Sequence, residues 1–185
     1  MAAMLLLVTS VQCQDQSKLS GELQAINRNI EYDYLNGKVD SIVFFYGSAF
    51  TYLPEFRPII VETGDLQKFY ADWFRSVHIT SYKKEIYEVQ PIAGYVLETG
   101  NFSLTYSNQR SADNLYTGKY MIMWKRDHSG RLKILSEAFG SDKHIDPEDI
   151  PYAAVEVPEK RVLDKDILSP KLLPEIEGFE HMCHT

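Results

Sequence analysis

At Ser76 the hydrophobic period of this chain changes from helical to alternating, and few architectures accept that order. Before the change, Leu19, Leu23, Ile26, Ile30 and Tyr34 fall on one helical face, and Asn36-Gly37 supplies a helix stop. A second, shorter helix is predicted over 39–46, with Ile42, Val43 and Tyr46 on one side. Residues 50–53 then read as a strand ended by Pro54 and Pro58. Thr63-Gly64-Asp65 opens a third helix, where Leu66, Phe69, Tyr70, Trp73 and Phe74 repeat at helical spacing. After Ser76, residues 80–89, 94–107, 118–126 and 131–139 are strand candidates joined by Pro-, Asn- and Gly-bearing turns. Three helices followed by a meander of strands indicate an α+β fold with the helices on one face of the sheet.

Composition bounds the partners. Apolar residues make up 44% of the 185-residue chain and aromatics 12%, sufficient for a packed core. The segment 141–185 holds eleven Asp or Glu against five Lys or Arg, so it carries six of the seven net negative charges. No basic stripe remains for nucleic acid, and none is expected as a partner. The same segment holds five of the eight prolines, with short apolar groups such as Ile150-Pro151-Tyr152. It reads as an acidic extension that straps across the body or a partner and without which the body is expected to fold; a solvated tail is the alternative. Residues 1–13 read as a signal peptide: the run around Met4-Leu5-Leu6-Leu7-Val8 is too short to span a bilayer and ends at Val11-Gln12-Cys13 before polar Gln14-Asp15-Gln16. That reading makes the mature protein secreted or otherwise extracytoplasmic. The alternative is an apolar overhang of the first helix. Cys13 and Cys183 are the only cysteines, so no disulfide framework is expected. His181-Met182-Cys183-His184 lacks the second cluster that a four-ligand zinc cage needs, and no metal or other cofactor is expected.

The stretch Gly118-Lys119-Tyr120-Met121-Ile122-Met123-Trp124-Lys125-Arg126, with Gly130-Arg131-Leu132-Lys133-Ile134, resembles the closing hairpin of SnoaL-like domains of the nuclear-transport-factor-2-like superfamily. Upstream, Asn36-Gly37, Leu53-Pro54 and Gly64-Asp65-Leu66 follow that family's order, and the likeness covers about two-thirds of the chain, over 22–140 within a domain bounded at 14–140. The resemblance implies a cone: a strongly curved, mostly antiparallel sheet wrapped around three N-terminal helices, with a pocket between. It implies a lining of Tyr46, Leu53, Tyr70, Tyr120, Ile122, Trp124, Leu135 and Phe139, with Glu137 among them. Alternation independently puts Leu135, Glu137 and Phe139 on one face. The catalytic set of ketosteroid isomerases is missing, since its base, oxyanion tyrosine and protonated aspartate correspond to Leu53, Ile30 and Ile122. No nucleophile elbow, metalloprotease helix or phosphate loop is present.

Glu137 is the candidate for chemistry, because a carboxyl among apolar side chains favours its neutral form. The leading expectation is a pocket for a small apolar or aromatic molecule in a homodimer. Met121, Met123, Phe102 and Leu104 are the candidate outer face for pairing. An acid/base enzyme of isomerase, cyclase or dehydratase type using Glu137, and a non-catalytic dimerisation scaffold, are the alternatives.

Overall fold

The computed structural model describes residues 2–108, 114–146 and 150–152, with side chains from Gln16 onward. In chain order the elements are α1 (Ala2–Leu35), α2 (Val39–Phe44), β1 (Tyr46–Leu53), α3 (Thr63–Ser76), β2 (His78–Ile92), β3 (Tyr95–Ser107), β4 (Asn114–Arg126) and β5 (Leu132–Ser141). Among the described residues the fold is α+β, with three helices and a five-stranded sheet in the order β1-β5-β4-β3-β2. Only β1 runs parallel to its neighbour; β5, β4, β3 and β2 pair antiparallel. Residues 1–13, read as a leader, are continuous in backbone with α1 from Ala2. No described helix is long and apolar enough to cross a membrane.

Local chemistry accounts for the boundaries. α1 ends where Gly37 takes a φ of +60°, letting the Lys38 N–H donate back to the Asp33 carbonyl at 2.9 Å. α2 is shorter than its apolar pattern suggests, because the Phe45 carbonyl is taken by the Ile134 N–H at 2.8 Å. Tyr46 therefore opens β1 opposite Ile134 instead of closing a helix. α3 follows its sequence pattern, burying Leu66, Phe69, Tyr70 and Trp73.

The helices cover one face of the sheet, here called the inner face. Tyr34 of α1 stacks on Tyr82 of β2 with ring centroids 4.4 Å apart, and Tyr34 meets Trp73 of α3 edge-on at 5.4 Å. Alternation along β4 turns Tyr120, Ile122 and Trp124 inward and leaves Met121 exposed outside. On β3 the inward residues are Val96, Glu98, Phe102, Leu104 and Tyr106. Phe102 and Leu104, expected on an outer pairing face, are thus core residues. One cross-strand row runs Tyr52, Glu137, Ile122, Glu98, Val89 from β1 to β2, and all five are buried.

β5 departs from plain alternation. Trp124 pairs with Ile134 and Met123 with Ser136, so Leu135 is an extra, bulged residue. Ile134 and Glu137 both face inward across the bulge, while Leu135 borders a shallow outer depression beside Gly47, Ser48 and Ala49.

Packing does not stop at Gly140. Ile150, Pro151 and Tyr152 are buried, and Tyr152 lies against Phe69, Trp73 and Phe139. By its contacts the body runs from Met1 to Val155. Glu156–Thr185, with the His181-Met182-Cys183-His184 motif, lies outside the described residues.

Candidate functional site

Two carboxyls occupy the inner face, Glu137 on β5 and Glu98 on β3, separated in the same row by Ile122 of β4. Neighbouring strands lie about 4.8 Å apart, which sets the two glutamates roughly 10 Å apart at the backbone. They are held differently. Glu98 is 0% exposed and accepts three hydrogen bonds: from Asn27 Nδ2 at 2.6 Å, Tyr120 OH at 2.7 Å and Trp124 Nε1 at 2.8 Å. Such satisfaction is what permits a carboxyl at full burial.

Glu137 is supplied from one side. Tyr34 OH donates to Tyr70 OH at 3.0 Å, Tyr70 and Tyr46 hydroxyls lie 3.0 Å apart, and Tyr46 OH donates to Glu137 Oε2. With Tyr46 donating to the carboxyl, Tyr70 donates to Tyr46, and all three hydroxyls point the same way along one chain. α1, α3 and β1 each contribute one tyrosine to it. Burial is the largest influence on Glu137 and raises its pKa. The positive charge of Lys84 and the Tyr46 hydrogen bond oppose that rise, and the charge of Glu98 adds to it. Lys84, itself buried, sits with Nζ 4.2 Å from the centroid of the Tyr120 ring. Among the described residues no cation lies within 4.0 Å of the Glu137 carboxyl, so this acid is not locked in an ion pair.

Glu137 borders a small cavity whose other walls include Tyr34, Trp73, Tyr82, Tyr116, Tyr120 and Phe139. Its volume of about 20 Å³ admits roughly one water molecule. Trp73 Nε1, in one of these walls, is buried and finds no acceptor among the described residues. A larger cleft of about 700 Å³ lies between the first turns of α1 with described side chains and the β2–β3 turn. That cleft is open, and its charged pair is mutually satisfied, with Arg126 donating twice to Glu22 at 2.9 and 2.7 Å. The titratable chemistry is concentrated at the smaller cavity. Among the described residues no group of three or more His, Cys, Asp or Glu is arranged to hold a metal ion.

The structure brings most of the expected residues together. Tyr46 and Tyr70 belong to the hydroxyl chain, Tyr120 and Phe139 to the cavity wall, Trp124 to the Glu98 cluster, and Ile122 lies between the acids. Two residues lie elsewhere. Leu53 follows inward Tyr52 on β1 and so points outward, and the bulge turns Leu135 outward with Ile134 taking its place. Glu98, Asn27, Tyr34, Tyr82 and Lys84 are additional members. For Glu98 the sequence carries a signal: Val96, Glu98, Phe102, Leu104 and Tyr106 share one parity on β3, and so strongly apolar a set belongs inside. An outer placing of Phe102 and Leu104 carries Glu98 outside with them.

No family model and no curated protein matches the chain. Solved structures do match in fold. A ketosteroid isomerase-like protein from Erwinia carotovora atroseptica aligns at 17% identity over 66% of this chain and 89% of that one, with a TM-score of 0.54. ActVI-ORFA from Streptomyces coelicolor aligns at 10% identity over 68% and 98%, with a TM-score of 0.59. An NTF2-like protein from Cytophaga hutchinsonii aligns at 14% identity over 64% and 94%, with a TM-score of 0.53. At these identities the likeness is one of fold.

Proposed function

Starting from its nuclear-transport-factor-2-like fold, we propose that this chain is an exported binding protein for a small aromatic or apolar molecule bearing one polar group. The observation that carries the reading is the one-way chain of tyrosine hydroxyls ending on buried Glu137 at the wall of an aromatic cavity. Such a site offers apolar walls for affinity and one hydrogen-bonding group for orientation, the usual division of labour in a ligand pocket. Fold likeness supports a pocket here and does not choose the ligand.

Export rests on the leader-like run in residues 1–13. Pairing as a homodimer is proposed through the outer sheet face. There Met121 is exposed, and Met123, Leu97 and Ala138 are half-buried neighbours across β3, β4 and β5.

A second reading is favoured by the burial of Glu137 beside the tyrosine chain, which raises its pKa: a carboxyl so placed is suited to proton transfer. In that case Glu137 donates or accepts the proton, and the tyrosine chain stabilises whichever form results. Glu137→Gln separates the two, because it abolishes turnover in an enzyme yet leaves a hydrogen-bonding ligand site.

The test of binding uses the indole N–H signals of Trp73 and Trp124 in NMR spectra during titration with p-cresol and acetophenone. A saturable shift of Trp73, weakened by Glu137→Leu, is expected. Silence of both indoles in the wild-type chain and in a Tyr152→Gly variant would overturn the reading.

A further inference from the structure

The 20 Å³ cavity is too small for any organic ligand, and the reason lies outside the sheet and helices. Its Trp73 and Phe139 walls are also the walls of a second space, which is filled by the Tyr152 ring. That ring lies 5.1 Å from Trp73, 5.2 Å from Phe69 and 6.1 Å from Phe139, at steep angles to all three. Edge-to-face contacts of this kind are the favoured geometry for one aromatic ring received by others. The Tyr152 hydroxyl donates to the backbone carbonyl of Glu55 at 3.1 Å. The Glu55 carboxylate in turn accepts from Tyr116 OH at 2.7 Å and the Ser141 N–H at 3.0 Å, fixing the acceptor in place. Tyr116 is a third residue shared with the cavity wall.

We infer that the space holding Tyr152 is the ring subsite of the ligand pocket, and that segment 150–152 is a built-in occupant which the ligand displaces. The inference rests on the binding role proposed above. It adds the class of ligand: a six-membered aromatic ring carrying a hydrogen-bond donor, as in a phenol or an aniline. The slot contributes three aromatic rings at steep angles and one fixed carbonyl acceptor, which is the complement of a phenol. Through its Trp73 and Phe139 walls it adjoins the cavity that Glu137 lines. An apolar cavity of about 150 Å³ is known to take up benzene, so vacating one ring brings the pocket into the range of such ligands. Trp73 Nε1, with no acceptor among the described residues, is suited to a ligand oxygen. An attached occupant competes at a high effective concentration, and apparent affinity falls by the fraction of molecules in which the slot is empty.

The experiment compares p-cresol binding to the full-length wild-type chain and to Tyr152→Gly, by titration calorimetry and Trp73 indole shifts. Binding at least tenfold tighter in Tyr152→Gly is expected, with p-cresol preferred over toluene. Equal affinity for the two chains would overturn the displaced-occupant inference and leave the binding role standing. Absence of binding in both would remove the binding role and the inference with it. Should Tyr152→Gly fail to fold, Tyr152→Phe carries the comparison, since it keeps the ring and loses the bond to the Glu55 carbonyl. Several-fold tighter p-cresol binding to Tyr152→Phe supports displacement, and unchanged affinity overturns it.

Discussion

Glu137 shows how one residue inherits its properties from every element around it. Facing it are Tyr34 of α1, Tyr70 of α3, Tyr46 of β1, Tyr82 and Lys84 of β2, Glu98 of β3 and Tyr120 of β4. Burial outweighs the help from Lys84 and Tyr46, so its folded pKa lies above the unfolded value. A carboxyl shifted that way contributes its full share of stability below the unfolded pKa and loses it as pH rises through the folded one. Glu137→Gln is permanently neutral and keeps an oxygen for the Tyr46 hydroxyl. Its stability relative to the wild type should therefore rise between pH 4 and pH 8, as read from urea midpoints; parallel profiles would contradict the assignment. Gly100 is a second informative position. A Cβ there would lie 2.2 Å from the Glu85 carbonyl oxygen and 2.6 Å from the Tyr120 hydroxyl oxygen. The missing side chain is what lets Tyr120 reach Glu98. Gly100→Ala should cost about 1–3 kcal/mol through overpacking, and the Trp124 indole signal should move as the Glu98 cluster rearranges.

At the scale of elements, β5 is the strand to test. Its bulge places Ile134, at 1% exposure, in the core and leaves Leu135 half-buried outside. Ile134→Ala should destabilise by about 2–5 kcal/mol, as for other fully buried aliphatic residues. Leu135→Ala should cost well under half as much. Chemical denaturation of the two variants checks the facing directly, and a larger loss at Leu135 would mean that the strand is regular. The bulge has a consequence for the site. Without an extra residue, inward Ile134 would force Glu137 outward, because side chains alternate strictly along a regular strand.

Two predictions belong to the whole molecule. Ile150 and Tyr152 are 5% and 4% exposed and complete the aromatic cluster of α3 and β5. Ending the chain after Gly140 should therefore lower the thermal midpoint markedly, whereas ending it after Val155 should leave the midpoint close to that of the full chain. Equal midpoints for the two truncations would show that 150–152 adds nothing to the core. For pairing through the outer face, sedimentation at micromolar concentration should report twice the chain mass, and Met121→Lys should return it to one. A monomer at every concentration would exclude the pairing.

What the sequence settled by itself is what depends on local spacing. The three helices and the chain order of the strands follow from periods of 3.6 and 2, and the Gly37 stop from a glycine after the last apolar turn. The inward facing of Tyr120, Ile122 and Trp124 is what the resemblance to SnoaL-like domains implies. Such periods reach only a few residues along the chain. They say which residues of one strand share a face, not how faces match between strands or which turns inward. Phe102 and Leu104 therefore share a face with each other but not with Met121 and Met123, beside which they are expected. The row of Glu98, Ile122 and Glu137, the bulge at Leu135 and the tyrosine chain from three separate elements are set by pairing between distant segments. The return of Tyr152 to the core is the same kind of decision. A lone aromatic residue in an acidic, proline-rich stretch carries no period, and only the slot left between Phe69, Trp73 and Phe139 gives it a place.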